Sequence, residues 1–79
     1  MLYPYIKKIE IMTSYTILIE YDTGEKRIFE AADFLEGEIF EPLKDMDFFN
    51  RAKISFNTVE WPNGADFSPE FLWENSLPV

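Results

Sequence analysis

Trp61-Pro62-Asn63-Gly64-Ala65-Asp66-Phe67-Ser68-Pro69-Glu70-Phe71-Leu72-Trp73 compresses a turn, a helix start and both tryptophans of the chain into thirteen consecutive residues. In Trp61-Pro62-Asn63-Gly64, proline stands where its pre-set φ suits a tight turn, and the two residue types most tolerant of positive φ follow. A type I or II turn is expected there, ending a strand at Trp61. Ser68-Pro69-Glu70 is a helix start. A serine oxygen accepts from free backbone N–H groups, proline at the first helical position sacrifices no hydrogen bond, and glutamate suits the positive end of the helix dipole. Phe67 before the cap and Leu72 four residues into the helix have the spacing of a hydrophobic staple. Pro78 stops the helix after about two turns.

Working outward, Tyr15 to Tyr21 sets Tyr15, Ile17, Ile19 and Tyr21 against Thr16, Leu18 and Glu20, the two-residue period of a strand. Tyr5 to Met12 puts Ile9 and Ile11 on one face and Lys8 and Glu10 on the other, with Met12-Thr13-Ser14 as the turn into the next strand. Asp22-Thr23-Gly24 is a second turn, and Glu25 to Glu30 a third strand with Ile28 and Phe29 on opposite faces, so the chain opens as a three-stranded meander. Further on, Ala31 to Gly37 reads as one helical turn closed by glycine, and Phe40-Glu41-Pro42-Leu43 as an irregular connection pinned to the core by its apolar residues. Asp45 caps a short helix through Ala52 with Met46, Phe49 and Phe48 facing inward. Lys53 to Phe56 and Thr58 to Trp61 are two short strands pivoting at Asn57, which takes the left-handed conformation. The expected fold class is α+β: one domain over residues 1–79, built as a small, mostly antiparallel sheet of about five short strands with two or three short helices.

At 79 residues the chain buries roughly 60 to 65% of its unfolded surface. Hydrophobic residues make up 47% and aromatic residues 18%, enough bulky rings to fill a small core without disorder. Cysteine is absent, so no disulfide framework or thiolate metal site is available, and packing alone has to hold the fold. Met1 to Lys8 lacks the basic segment and apolar run of a signal peptide, and no stretch reaches the length of a spanning helix. A cytoplasmic, soluble protein with no membrane partner is therefore expected. Fifteen acidic against seven basic residues give a formal charge of −8, a field that repels phosphate backbones, so nucleic acid is not expected as a partner of this chain by itself.

Several of these segments together resemble a known family. Tyr15 to Phe29, then Phe40-Glu41-Pro42-Leu43, Phe48-Phe49 and the block Trp61-Pro62-Asn63-Gly64-Ala65-Asp66, followed by Pro69-Glu70 and Leu72, make the chain similar over nearly its whole length to the bacterial domain of unknown function family 2442. Two positions depart mildly: Trp73 stands where that family commonly has tyrosine, and Asn57 where it often has glycine. The resemblance implies a small, largely antiparallel α+β domain with no established catalytic residues. It also implies an arrangement in which members occur beside a second small protein, as in a toxin and antitoxin pair. Larger members continue into a helix-turn-helix domain; this chain ends at Val79 without one, and binding of an operator by the chain is not expected.

Function is then sought residue by residue. Without histidine or cysteine the common nucleophile and base pairings are missing, and three glycines form no phosphate loop, so no catalytic residue, cofactor or enzyme activity is expected. Asp33, Glu36, Glu38, Glu41, Asp45 and Asp47 form an acidic stretch in which only Asp45-x-Asp47 meets any part of a calcium-loop pattern, and no metal site is expected. The stretch is either a solvated face or a surface for a small, co-encoded, basic protein. Trp61 is expected in the core, with Pro62, Asn63, Gly64, Ala65 and Asp66 serving architecture through turn geometry and local bonds to backbone amides. Phe71 and Trp73, on a helix too short to bury Phe71, Leu72 and Trp73 together, are the outward candidates for partner binding. They also motivate the alternative of a self-associating homodimer.

Overall fold

The computed structural model describes residues 3–79. Strand β1 (Ile6–Met12), β2 (Thr16–Tyr21) and β3 (Lys26–Glu30) pair antiparallel in sequence order. The alternation at 17, 19 and 21 sets the buried face of β2, where Ile17 and Ile19 are fully buried and Tyr21 nearly so. On β3, Phe29 turns in and Ile28 out. Between the pairs Ile6↔Tyr21 and Lys8↔Glu20, β1 carries one extra residue. This bulge lets Ile6 and Ile9, three apart, pair on the same face with Tyr21 and Ile19. Lys7 and Lys8 both oppose Glu20, each with its ammonium 3.8 Å from that carboxylate.

The turn between β1 and β2 differs from the expectation. Tyr15 belongs to the turn and not to the strand: Ser14 and Tyr15 both have φ of 59°. Reversing direction between Met12 and Thr16 needs left-handed residues, and Tyr15 takes that role despite standing in phase with Ile17. Its ring meets Phe49 edge-on at 5.3 Å, and its hydroxyl donates to the Lys44 carbonyl. Asp22-Thr23-Gly24 and Pro62-Asn63-Gly64 build one and the same loop. In each, the glycine N–H donates to the carbonyl before the loop, from Gly24 to Tyr21 and from Gly64 to Trp61, both at 2.9 Å. In each, the left-handed glycine then returns the chain, so that Tyr21 N–H reaches Glu25 O and Trp61 N–H reaches Ala65 O.

The middle of the chain is more helical than expected. A 3₁₀ helix over Ala31–Phe34 is followed by buried Leu35, and Gly37, at φ 98°, opens a second 3₁₀ helix over Glu38–Lys44 instead of closing the first. The segment Phe40 to Leu43 is thus helical and not irregular. Pro42 bars an α-helix, yet its carbonyl still accepts from Asp45 N–H, and fully buried Leu43 holds the segment to the core. Helix α1 (Met46–Phe49) starts at Asp45, whose Oδ1 accepts from Asp47 N–H at 3.0 Å; beyond Phe49 it relaxes into turns and does not run to Ala52.

Strands β4 (Lys53–Ser55) and β5 (Thr58–Glu60) form a separate two-stranded sheet, joined by Phe56 and Asn57 with φ of 48° and 62°. Here β5 ends at Glu60, and Trp61 begins the loop whose far side bridges Glu60 to Asp66. Helix α2 (Pro69–Glu74) has its Ser68 cap, with Oγ accepting from Phe71 N–H at 3.0 Å, and both staple residues Phe67 and Leu72 are buried. The expected stop at Pro78 is not what ends the helix: it closes at Glu74, where Asn75 donates both its N–H and its Nδ2 to Phe71 O, and the chain then returns as β6 (Leu77–Pro78) against β3, a sixth strand where about five were expected. The main sheet order is β1-β2-β3-β6. Packed on its inner face is an aromatic core centred on Phe67, whose ring lies 5.1 Å from Phe29, 5.1 Å from Phe40, 5.5 Å from Phe71, 5.9 Å from Trp61 and 6.4 Å from Phe34. The result is a small α+β fold.

Candidate functional site

The block from Trp61 to Asp66 is built into the frame. Trp61 is buried, and its indole Nε1 donates to Phe49 O at 2.9 Å. Ala65 is buried beside it, while Pro62, Asn63, Gly64 and Asp66 lie exposed along the loop. Asn63 does more than turn the chain: its Oδ1 accepts from Ala65 N–H at 3.2 Å and its Nδ2 donates to Ile39 O at 2.8 Å, tying the loop to the second 3₁₀ helix. Among the described residues the Asp66 carboxylate does not make the local amide bond expected of it, while its backbone is engaged in the bridge to Glu60.

Phe71 and Trp73, expected on the outward side of α2, are instead half-buried at the margin of the core. Phe71 meets the Phe34 ring edge-on at 4.9 Å and stacks on Phe67. The Trp73 ring has the edge of Tyr21 at 5.0 Å and the Arg27 guanidinium 4.1 Å from its centroid. Arg27 is the residue the sequence reading missed. Its fork donates from Nε to Ser76 Oγ at 2.8 Å, from Nη2 to the Ser76 and Trp73 carbonyls at 2.7 and 3.2 Å, and from Nη1 to Glu25 at 2.8 Å. The available signal was its place two residues before Phe29, which puts an arginine on the inward face of β3. Nearby, the Tyr21 hydroxyl is buried with no hydrogen-bond partner among the described residues, and burial pushes its pKa up to about 12, with Arg27 opposing and Glu25 adding to the rise.

The acidic stretch lies where its charge meets solvent. Asp33, Glu36, Glu38, Glu41, Asp45 and Asp47 are all exposed, spread over the two 3₁₀ helices, the loop between them and the start of α1. Among the described residues, the one ion pair in this set joins Glu41 to Lys44 at 3.2 Å, and Asp45 is occupied as a helix cap. An open depression of about 540 Å³ runs along the same segment between Tyr15, Asp33, Glu36 and Lys44. A second cleft, of about 290 Å³, lies where β3 meets β6, lined by Ile28, Glu30, Asp33, Phe34, Glu74 and Leu77. Among the described residues no three carboxylates gather as metal ligands, and no helix is long and apolar enough to cross a membrane. What the arrangement offers chemically is a negative surface on which, among the described residues, only Glu41 is ion-paired.

Comparison with known proteins gives one result. No curated protein and no solved structure matches the chain. A family model described as "Protein of unknown function (DUF2442)" matches residues 6–78, from the first residue of β1 to the last of β6. The chain therefore belongs to the DUF2442 family of proteins of unknown function.

Proposed function

We propose that this chain is a non-enzymatic, cytoplasmic protein-interaction domain whose acidic segment binds a small, basic, co-produced protein, as the neutralising member of a toxin–antitoxin-like pair. The observation that supports it is the exposure of six carboxylates between Asp33 and Asp47 with Lys44 as the one paired cation, in a chain of net charge −8. Such a field speeds encounter with a positive partner and selects it by charge, and the effect fades with salt. Phe71 and Trp73 contribute by fixing the frame, being committed to contacts within the chain. Co-expression of the chain with the product of the adjacent gene, followed by co-purification in low salt, tests the proposal. A complex that dissociates as salt is raised is the expected result, and Glu36→Lys with Glu38→Lys weakens it. Failure to associate at micromolar concentration in low salt sinks the idea.

A further inference from the structure

The solvent side of the main sheet is not polar throughout. Register sets Leu18, Ile28 and Leu77 opposite one another across β2, β3 and β6, a single apolar row between the pairs Thr16↔Glu30 and Glu20↔Lys26. The alternation that buries Ile17, Ile19 and Phe29 sends this row outward, a departure from the polar outer face of a sheet covered on one side. Leu77 is 64% exposed. The row ends in the cleft of about 290 Å³, where Ile28 and Leu77 meet Phe34. From the core side Phe29 stacks on the Phe34 ring at 5.5 Å and Phe71 meets it edge-on at 4.9 Å, so the apolar floor of the cleft is held in place.

Glu30, Asp33 and Glu74 rim that floor, and among the described residues no basic side chain lines it and none of the three carboxylates is ion-paired. The backbone adds a donor. Glu25 and Ala31 bond across to Tyr21 and Tyr15, so the even residues of β3 turn their backbone groups away from β2. Strand β6 pairs with that edge only as far as Ile28, and Glu30 N–H lies beyond the last pair, on the side of the cleft. A second copy of a chain of charge −8 does not suit such a rim, whereas a cationic segment does. We propose that the cleft receives an extended segment of a protein partner in which basic residues flank an apolar one. The apolar side chain lies on Ile28, Phe34 and Leu77, the cations meet Glu30, Asp33 and Glu74, and a backbone carbonyl accepts from Glu30 N–H. This rests on the basic-partner reading above and adds an apolar anchor that the acidic stretch alone does not require. Asp33 lines both this cleft and the depression beside Glu36 and Lys44, so the two surfaces adjoin.

Calorimetric titration of the full chain with two short synthetic peptides of equal positive charge tests this, one alternating lysine with leucine and phenylalanine, the other lysine with glycine. The apolar peptide is expected to bind at least about tenfold more tightly, the gain from burying one leucine-sized side chain, and to shift the amide resonances of Ile28, Glu30 and Leu77. The surface pair Glu30→Lys/Glu74→Lys is expected to lose about tenfold or more in affinity for it while keeping the wild-type circular dichroism spectrum. Glu36→Lys/Glu38→Lys is expected to leave the preference for the apolar peptide in place. Equal affinity for the two peptides, resonance shifts confined to residues 36–47, or unchanged binding by Glu30→Lys/Glu74→Lys overturns the proposal. Self-association of the wild-type chain that Glu30→Lys/Glu74→Lys abolishes assigns the cleft to a second copy and overturns it too. Co-purification with the co-produced protein separates the two readings. A salt-sensitive complex that Glu30→Lys/Glu74→Lys does not weaken removes the cleft proposal and leaves the basic-partner reading standing.

Discussion

Tyr21 shows how one atom links packing to pH. Its hydroxyl is buried and has no partner among the described residues, and its pKa is pushed up to about 12 against 10.0 for a free tyrosine. A raised pKa on an acid means that above pH 10 the unfolded chain loses a proton the native chain keeps, so this group's contribution to stability is constant below pH 10 and declines between pH 10 and 12. Tyr21→Phe is expected to flatten that decline in urea titrations and, by removing an unsatisfied polar group, to leave stability at pH 7 equal or higher. Trp61 is the opposite case, a ring fully used by its surroundings. Trp61→Ala is expected to cost about 3 to 5 kcal/mol in chemical denaturation, for the cavity and for the stranded Phe49 carbonyl. Trp73→Ala, at the half-buried margin, costs less; equal losses for the two variants would contradict their different burial.

At the scale of elements, the C-terminal strand is held by side chains more than by its own two residues. Beyond the register Arg27↔Pro78 and Ile28↔Leu77, the Arg27 fork fastens the turn before β6 through Ser76 and the end of α2 through Trp73. Lysine carries the charge but not the planar fork, so Arg27→Lys is expected to cost about 1.5 to 3 kcal/mol. The Val79 amide, bonded to Lys26 O at 3.0 Å, is then expected to exchange faster while the amides of β2 change little. Unchanged protection at Val79 would show that β6 is held without Arg27. The start of α2 was legible in full, because capping is local: serine, proline and the staple pair act within one turn of chain. Ser68→Ala is expected to cost about 1 kcal/mol. The length of that helix was legible too; its close at Asn75 was not, and neither was the return of Leu77–Pro78 to β3, since two residues carry no period and their partner lies some fifty positions away.

Over the whole molecule, fifteen acidic residues face seven basic ones and the isoelectric point is near 4.3. Self-repulsion opposes the compact state, and added salt screens it, so the melting temperature is expected to rise with sodium chloride up to moderate concentration; a flat response would mean that the charges are already balanced locally. The sequence by itself determined the α+β class, the meander, both glycine loops, the cap of α2 and the burial of Trp61, because these follow from two-residue alternation, from φ preferences and from bonds between near neighbours. Three things were decided only by the tertiary structure. Tyr15 gave up its strand position to a turn anchored by Phe49 and Lys44, distant partners that local alternation does not contain. Phe71 and Trp73 became half-buried residues at the margin of the core because Phe34, Tyr21 and Arg27 pack against them, contacts that a helix considered alone does not contain. Phe56 stands bare at the tip of the separate β4–β5 hairpin, and the cleft at β3 and β6 exists because Leu77–Pro78 returns to β3. Burial and clefts are properties of surfaces brought together from far along the chain, whereas period and turn chemistry are properties of the chain itself.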